Sequence, residues 1–476
     1  MNPHVVSFTQ NETSGHRNGR LVSYAQPSPG VSMPAFLAHA RGQARVYWRD
    51  GQDPVTFAGF GTAAELFAWG DNRFLDMQRQ AAALFHDAVF FDSDQPLAAP
   101  RLVGGFAFQD DFTPDYAWSV FHPAHFILPH YQLVQVADAT WLTINALLPD
   151  DEKPHANLSM LQDAWQARYE LLRRGERGVE SGERRAGSGE RGARRSLSAS
   201  RSTLHYPMSF EAWDTMLRAA LTRIHAGDLQ KVVLSRVAEA RFAARVDVDA
   251  ALAYLNEAYA GCYRFLFEPR PFHAFFGATP ELLVHTQGQR LETMGLAGSI
   301  RRGATPVEDA ALAHELLHSP KDSHEHRLVV ESIRRRLHHA VTSLHVPEPR
   351  ILPLHNIQHI HTPIIGILRQ AQGALPLVER LHPTPALGGT PRRPALAFLR
   401  DAEPVPRGWY GAPVGWLDHT LDGKFAVAIR SAVTQENRAW LYAGAGIVAD
   451  SIPEKEWEET ALKFWPMRQA LGMVNG

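Results

Sequence analysis

The sequence contains one cysteine, Cys262, in 476 residues. A single thiol excludes an internal disulfide and any zinc site built from four cysteines, and it suits a reducing compartment, so the cytoplasm is the expected location. No run approaches the roughly eighteen apolar residues of a spanning helix, so no membrane partner is expected. Met1 to Arg20 are polar and lack the apolar stretch of a secretory signal. Nor does one charge dominate: 48 Lys and Arg stand against 50 Asp and Glu. Such a balance gives nucleic acid no electrostatic reason to bind. A small ligand is the expected partner.

What is present is ordinary for a folded chain, with 45% apolar and 21% charged residues, and the length allows about two or three domains or one large composite unit. Residues 1–172 show short β-like runs at 44–48, 102–109 and 141–148, no catalytic cluster, and are expected to add strands to the same body. Between Arg173 and Arg201 the composition shifts to Arg, Gly, Glu and Ser, which predicts a flexible linker. An RNA-binding arm is disfavoured there, because interleaved Glu cancels charge and no aromatic residue can stack on bases. Residues 202–476 alternate expected strands at 231–238, 275–284, 425–433 and 439–448 with helices.

Ser319 can cap a helix, with Pro320 in its first position and Asp322 completing a capping box. The apolar face is Val329, Ile333, Leu337 and Val341, and Glu325 opens that inward face. An inward carboxylate needs an ion-pair partner or a metal. A second helix is expected from Ser451, capped with Glu454, with Glu456, Glu459 and Lys463 on one face. That face is either a salt-bridged surface or, turned inward beside Glu325, an oxygen-rich pocket suited to Mg²⁺.

As one strand, residues 424–433 would divide by period two: Phe425, Val427, Ile429 and Val433 on one face, Ala426, Ala428, Arg430 and Ala432 on the other. Small residues around one Arg leave room for a carboxylate, or for a covering helix. In Ala443-Gly-Ala-Gly-Ile-Val448 the glycines would let backbone N–H groups approach an anion, but the third glycine of the dinucleotide fingerprint is missing. His314-Glu315-Leu-Leu-His318 matches the zinc metalloprotease pattern and leaves a zinc hydrolase as a remote alternative. Against it, the helix start at Ser319 places His318 at a helix end, and no third ligand follows.

Together, from about Phe210 to Leu471, the chain resembles the chorismate-utilising enzymes: isochorismate, anthranilate, aminodeoxychorismate and salicylate synthases. The segments that carry the resemblance are Lys231-Val-Val-Leu-Ser-Arg236, Gly277-Ala-Thr-Pro-Glu-Leu-Leu283, Leu296-Ala-Gly-Ser299 and Lys321-Asp-Ser-His-Glu-His326. They continue in Leu381-His-Pro-Thr-Pro-Ala-Leu-Gly-Gly-Thr390, Arg407-Gly-Trp-Tyr-Gly411, the glycine segment from Ala443, and Glu456-Trp-Glu-Glu-Thr-Ala-Leu-Lys463.

The resemblance implies an α+β fold of large antiparallel sheets flanked by helices. It implies Mg²⁺ on Glu325 and Glu459 with Glu456 nearby, and substrate contacts from Arg430, Lys463 and the backbone of Gly444, Ala445 and Gly446. Ser299 and His359 would line the ring, Lys231 would be the base and Glu281 the acid. Ala386-Leu387 resembles the isochorismate type, which implies interconversion of chorismate and isochorismate; salicylate synthase is the nearest rival. The Leu-Leu-Glu-Ser element of tryptophan-inhibited relatives is missing, and no glutaminase subunit is expected. The 407–416 segment and the long N-terminal half look more like the menaquinone-type enzymes than the siderophore type.

Overall fold

Along the strand Lys231–Phe242 nearly every residue is buried, so both faces must be covered. Val232, Leu234 and Val237 enter one apolar core, Ala238, Ala240 and Phe242 another. The computed structural model describes residues 6–7, 19–91, 95–149, 152–186 and 202–473. Among them the strands form an 11-stranded and a 13-stranded sheet, with the larger core between the two and helices outside. This is the expected α+β architecture.

Both sheets draw on both halves of the chain. In the larger, Arg45–Arg49 pairs antiparallel with Tyr263–Arg270; in the smaller, Leu102–Phe106 pairs with Pro413–Leu417. The seam between the sheets is filled by rings: Trp409 stacks on Phe267 at 5.0 Å, and Phe121 meets both edge-on or tilted.

Two expected strands are not continuous. The run 275–284 divides into His273–Thr279 in the larger sheet and Leu282–Gln287 in the smaller. Likewise 425–433 divides into Gly423–Val427 and Ser431–Gln435, which belong to different sheets. Pro280 cannot donate to a ladder, and Arg430 has φ +51, a left-handed conformation that turns the chain. The period-two assignment of faces therefore fails beyond Val427.

The linker boundary also moves. A helix spans Leu158–Ala186, well past Arg173, and residues 187–201 of the expected linker lie outside the described residues. No described helix is long and apolar enough to cross a membrane.

Candidate active site

Lys231 opens its strand because Gly389–Thr390 pairs with it on one side and Arg438–Ile447 runs along the other. Register places Val233 opposite Gly446 and Ser235 opposite Gly444, so these residues share a face with Lys231. Ala445 pairs with Leu234 and points the other way, into the core; only its backbone could meet a ligand. The glycines supply space. A Cβ on Gly446 would strike Glu325 Oε1 and lie 2.9 Å from Lys231 Cε, and one on Gly444 would lie 3.1 Å from the Tyr410 hydroxyl.

Above this face lies the helix Pro320–Leu337, started as expected by Ser319, whose side chain accepts from Asp322 N. The helix ends at Leu337, so Val341 belongs to the following strand, Val341–His345. Glu325 Oε1 accepts from Lys231 Nζ at 2.6 Å, and Lys231 is fully buried. The inward carboxylate thus has a lysine partner.

The last helix is Pro453–Ala470, capped at Ile452 without a side-chain bond. Ser451 instead accepts from Val448 N, so the expected capping box with Glu454 is not formed. Glu459 and Lys463 do face the cavity, paired at 2.5 Å, and Lys463 also donates to Gly444 O at 2.8 Å. Burial would raise Glu459, but Lys463, with Lys321 and a hydrogen bond from Glu456, holds the carboxyl below its usual range. Glu456, one turn earlier and 1% exposed, pairs with Lys321 at 2.6 Å behind the cavity wall. Burial, then the charge of Glu459, pushes Glu456 up to about 7.

Opposite these helices the two sheet crossings present Glu281 and Arg430. Glu281 is 3% exposed, and burial pushes its carboxyl up to about 8 despite the pull of Lys231 and Arg430. Arg430 Nη2 lies 3.2 Å from His359 Nε2, and His359 Nδ1 lies 3.1 Å from Gly298 O and 3.0 Å from Ser299 Oγ. A guanidinium only donates, so Nε2 accepts and Nδ1 carries the proton. The neutral imidazole agrees with burial, Arg430 and Lys463 holding its pKa well below the usual value.

One cavity is lined by Glu281, Ser299, Glu325, His359, Ala386, Leu387, Arg430, Gly444, Gly446, Glu459 and Lys463, all expected from sequence. Tyr410, Val233 and Ile429 also line it and had been given no role, although Tyr410 and Val233 lie in segments that carried the resemblance. Of the charged side chains that line the cavity, Arg430 and Lys463 stand against Glu325 and Glu459 with Glu281 neutral, while Lys231 is fully buried and not among the lining residues. Arg430 and Lys463 are the cations that could hold an anionic ligand group there.

Glu325, Glu456 and Glu459 are hard oxygen donors, each paired with a lysine, and Glu456 is raised first by burial and then by the charge of Glu459. That donor set fits Mg²⁺, which needs only one or two carboxylates beside water and ligand oxygen. Among the described residues no group of three or more His, Cys, Asp or Glu side chains is arranged so that together they could hold a metal ion, so one or two of these carboxylates would have to serve. The zinc alternative has no support in the geometry: His318 ends the helix Pro306–His318, its ring stacks on His314 at 3.9 Å, and its Nδ1 is directed at His314 O.

Known proteins resemble the chain over most of its length. The family model described as chorismate binding enzyme matches residues 7–472. The chain is 35% identical to the salicylate biosynthesis isochorismate synthase of Pseudomonas aeruginosa, over 90% of this chain and 85% of that protein. It is 30% identical to the isochorismate synthase MenF of Bacillus subtilis, over 95% of this chain and 93% of the relative. For the fold, the menaquinone-specific isochorismate synthase MenF of Escherichia coli superimposes with a TM-score of 0.73 at 24% identity, covering 95% of each chain. With a family match over almost its whole length and the cavity its segments build, the chain belongs to the chorismate-binding enzymes.

Proposed function

We propose that the chain is an isochorismate synthase. Water adds at ring carbon C2 of chorismate, the double bonds shift, and the C4 hydroxyl leaves as water. The observation that carries this reading is Glu281, a carboxyl that burial keeps protonated to about pH 8, lining the same cavity as Arg430 and Lys463. A leaving hydroxyl needs a proton, and an ordinary carboxylate at neutral pH has none to give. The two relatives named isochorismate synthase that align over nine-tenths of the chain support the assignment.

Arg430 and Lys463 would hold a substrate carboxylate, with Gly444 and Gly446 giving it room. Ser299 and His359 would lie along the ring. Lys231 would take the proton from the attacking water. As placed, its ammonium is paired with Glu325, so that pair must open and the lysine must lose a proton first. Glu325 and Glu459 would hold Mg²⁺ with Glu456 behind them, and the bound ion would supply a Lewis-acidic anchor for a substrate carboxylate.

Ala386 and Leu387 line the cavity, and their resemblance to the isochorismate type favours hydroxyl transfer over loss of pyruvate. Menaquinone synthesis is the proposed pathway, supported by the full-length alignment with the Bacillus subtilis relative. The name of the Pseudomonas aeruginosa relative favours a second reading, supply of isochorismate for salicylate. The free, buried Cys262 fits a reducing cytoplasm. Incubating the purified chain with chorismate and Mg²⁺ should yield isochorismate without pyruvate. Salicylate and pyruvate in equal amounts would overturn the assignment.

A further inference from the structure

Arg407 does not touch the cavity, yet it holds the wall that does. It is 3% exposed. Its Nη1 donates to Leu387 O at 2.8 Å, and its Nη2 to Val233 O and to Glu403 Oε1, each at 2.6 Å. Nε donates to Glu403 Oε2 at 2.8 Å, and Glu403 Oε1 also accepts from Ser235 N at 2.8 Å. One guanidinium therefore joins the strand of Lys231, the exit of the helix Arg392–Ala402 and the end of the loop 382–388. The start of that loop is held from the N-terminal half of the chain. Phe108 O accepts from His382 Nε2 at 3.1 Å, and the Phe108 ring lies under Arg407 at 4.3 Å.

Inside the loop, Leu387 N and Gly388 N both donate to Thr384 O, at 3.0 and 2.8 Å. The turn is thus one hydrogen-bonded unit, and moving the Leu387 carbonyl moves Ala386 and Leu387 with it. A lysine could not replace this hold: its single ammonium cannot span two carbonyls and a carboxylate in the plane that the guanidinium fork occupies.

We propose that Arg407, oriented by Glu403 and Phe108, is a positioning clamp that sets product identity by keeping the Ala386-Leu387 wall close against the bound ring. The proposal rests on the reading of the site as an isochorismate synthase. The competing reaction needs no co-reactant. The C3–oxygen bond of isochorismate breaks, the C2 hydrogen passes to the methylene carbon of the enolpyruvyl group, and one pyruvate leaves behind one salicylate. For that, the enolpyruvyl arm must fold over the ring toward C2, which a close aliphatic wall prevents.

The test uses the full chain as Arg407→Lys and Glu403→Gln, with folding checked by melting temperature. In Arg407→Lys, amide exchange measured by mass spectrometry over 384–390 should quicken about tenfold, as expected for losing a charge-assisted hydrogen bond, while 438–447 is unchanged. Pyruvate formed per isochorismate should rise by about the same factor above the parent ratio. Unchanged exchange in the loop would show that Arg407 does not hold it. Faster exchange with an unchanged product ratio would reduce Arg407 to a structural role. Either result overturns the proposal. A parent enzyme that makes no isochorismate would instead sink the functional reading, and the exchange measurement would still decide whether the clamp holds the loop. If Arg407→Lys does not fold, Glu403→Gln, which keeps both carbonyl contacts but loosens the fork, is judged by the same two criteria.

Discussion

Glu281 and Arg430 occupy equivalent places: each stands where its segment crosses between the two sheets, and the crossings are bonded to each other. Glu281 O accepts from Val427 N at 2.9 Å, Arg430 O accepts from Ala278 N at 3.1 Å, and Thr279 Oγ1 donates to Val427 O at 2.6 Å. The proposed acid and the proposed carboxylate clamp are thereby held in one rigid frame. Rigid placement of this kind is what a site needs when an ångström of drift is costly.

Glu281→Gln should lower kcat by about 10²–10⁴-fold with little change in chorismate binding. In the parent, activity should fall on the alkaline side with an apparent pKa near 8, as the acid ionises. Stability follows the same group. Its folded pKa is raised above the ordinary carboxyl value, so its contribution is fully present at low pH and is lost as pH rises from about 4.5 to 8. Glu281→Gln should therefore melt higher than the parent at pH 8, with the difference closing toward pH 4.5. No difference at pH 8 would contradict the raised pKa.

Lys231→Met should abolish turnover and also weaken the fold, by about 3–5 kcal/mol, because it leaves Glu325 only 13% exposed without its lysine. Lys231 is fully buried, so its loss falls on the fold as well as on the chemistry. Adding Glu325→Gln should recover part of the loss in urea unfolding while activity stays absent. Additive losses in the double variant would show that the pair does not carry the energy.

Chelation should remove activity, and Mg²⁺ should restore it. Glu459→Gln should raise the Mg²⁺ concentration for half-maximal rate by about tenfold or more. A full rate in EDTA would remove Mg²⁺ from the account.

Gly446→Ala is the steric test of the glycine face. The added methyl would collide with Glu325 and crowd Lys231, so activity should fall by about a hundredfold and stability by about 1–3 kcal/mol. A fully active variant would show that this face does not border the reacting groups.

Local signals in the sequence determined a good deal. Ser319 starts its helix because capping is decided within four residues, and helical spacing placed Glu325, and Glu459 with Lys463, on their shared faces. The ordered motif segments carried the family and nearly the whole cavity lining. Tertiary structure decided the rest, because it depends on partners far away in the chain. Period two cannot reveal that 275–284 and 425–433 each change sheets, since alternation reads the same in either sheet. The lysine partner of Glu325, Lys231, 94 positions apart in the chain, is invisible to spacing. So is Phe108, which reaches the loop at His382 from 274 residues away. Above all, Glu281 is an ordinary glutamate in the sequence; burial at the sheet crossing, and nothing in its neighbours along the chain, makes it an acid at neutral pH.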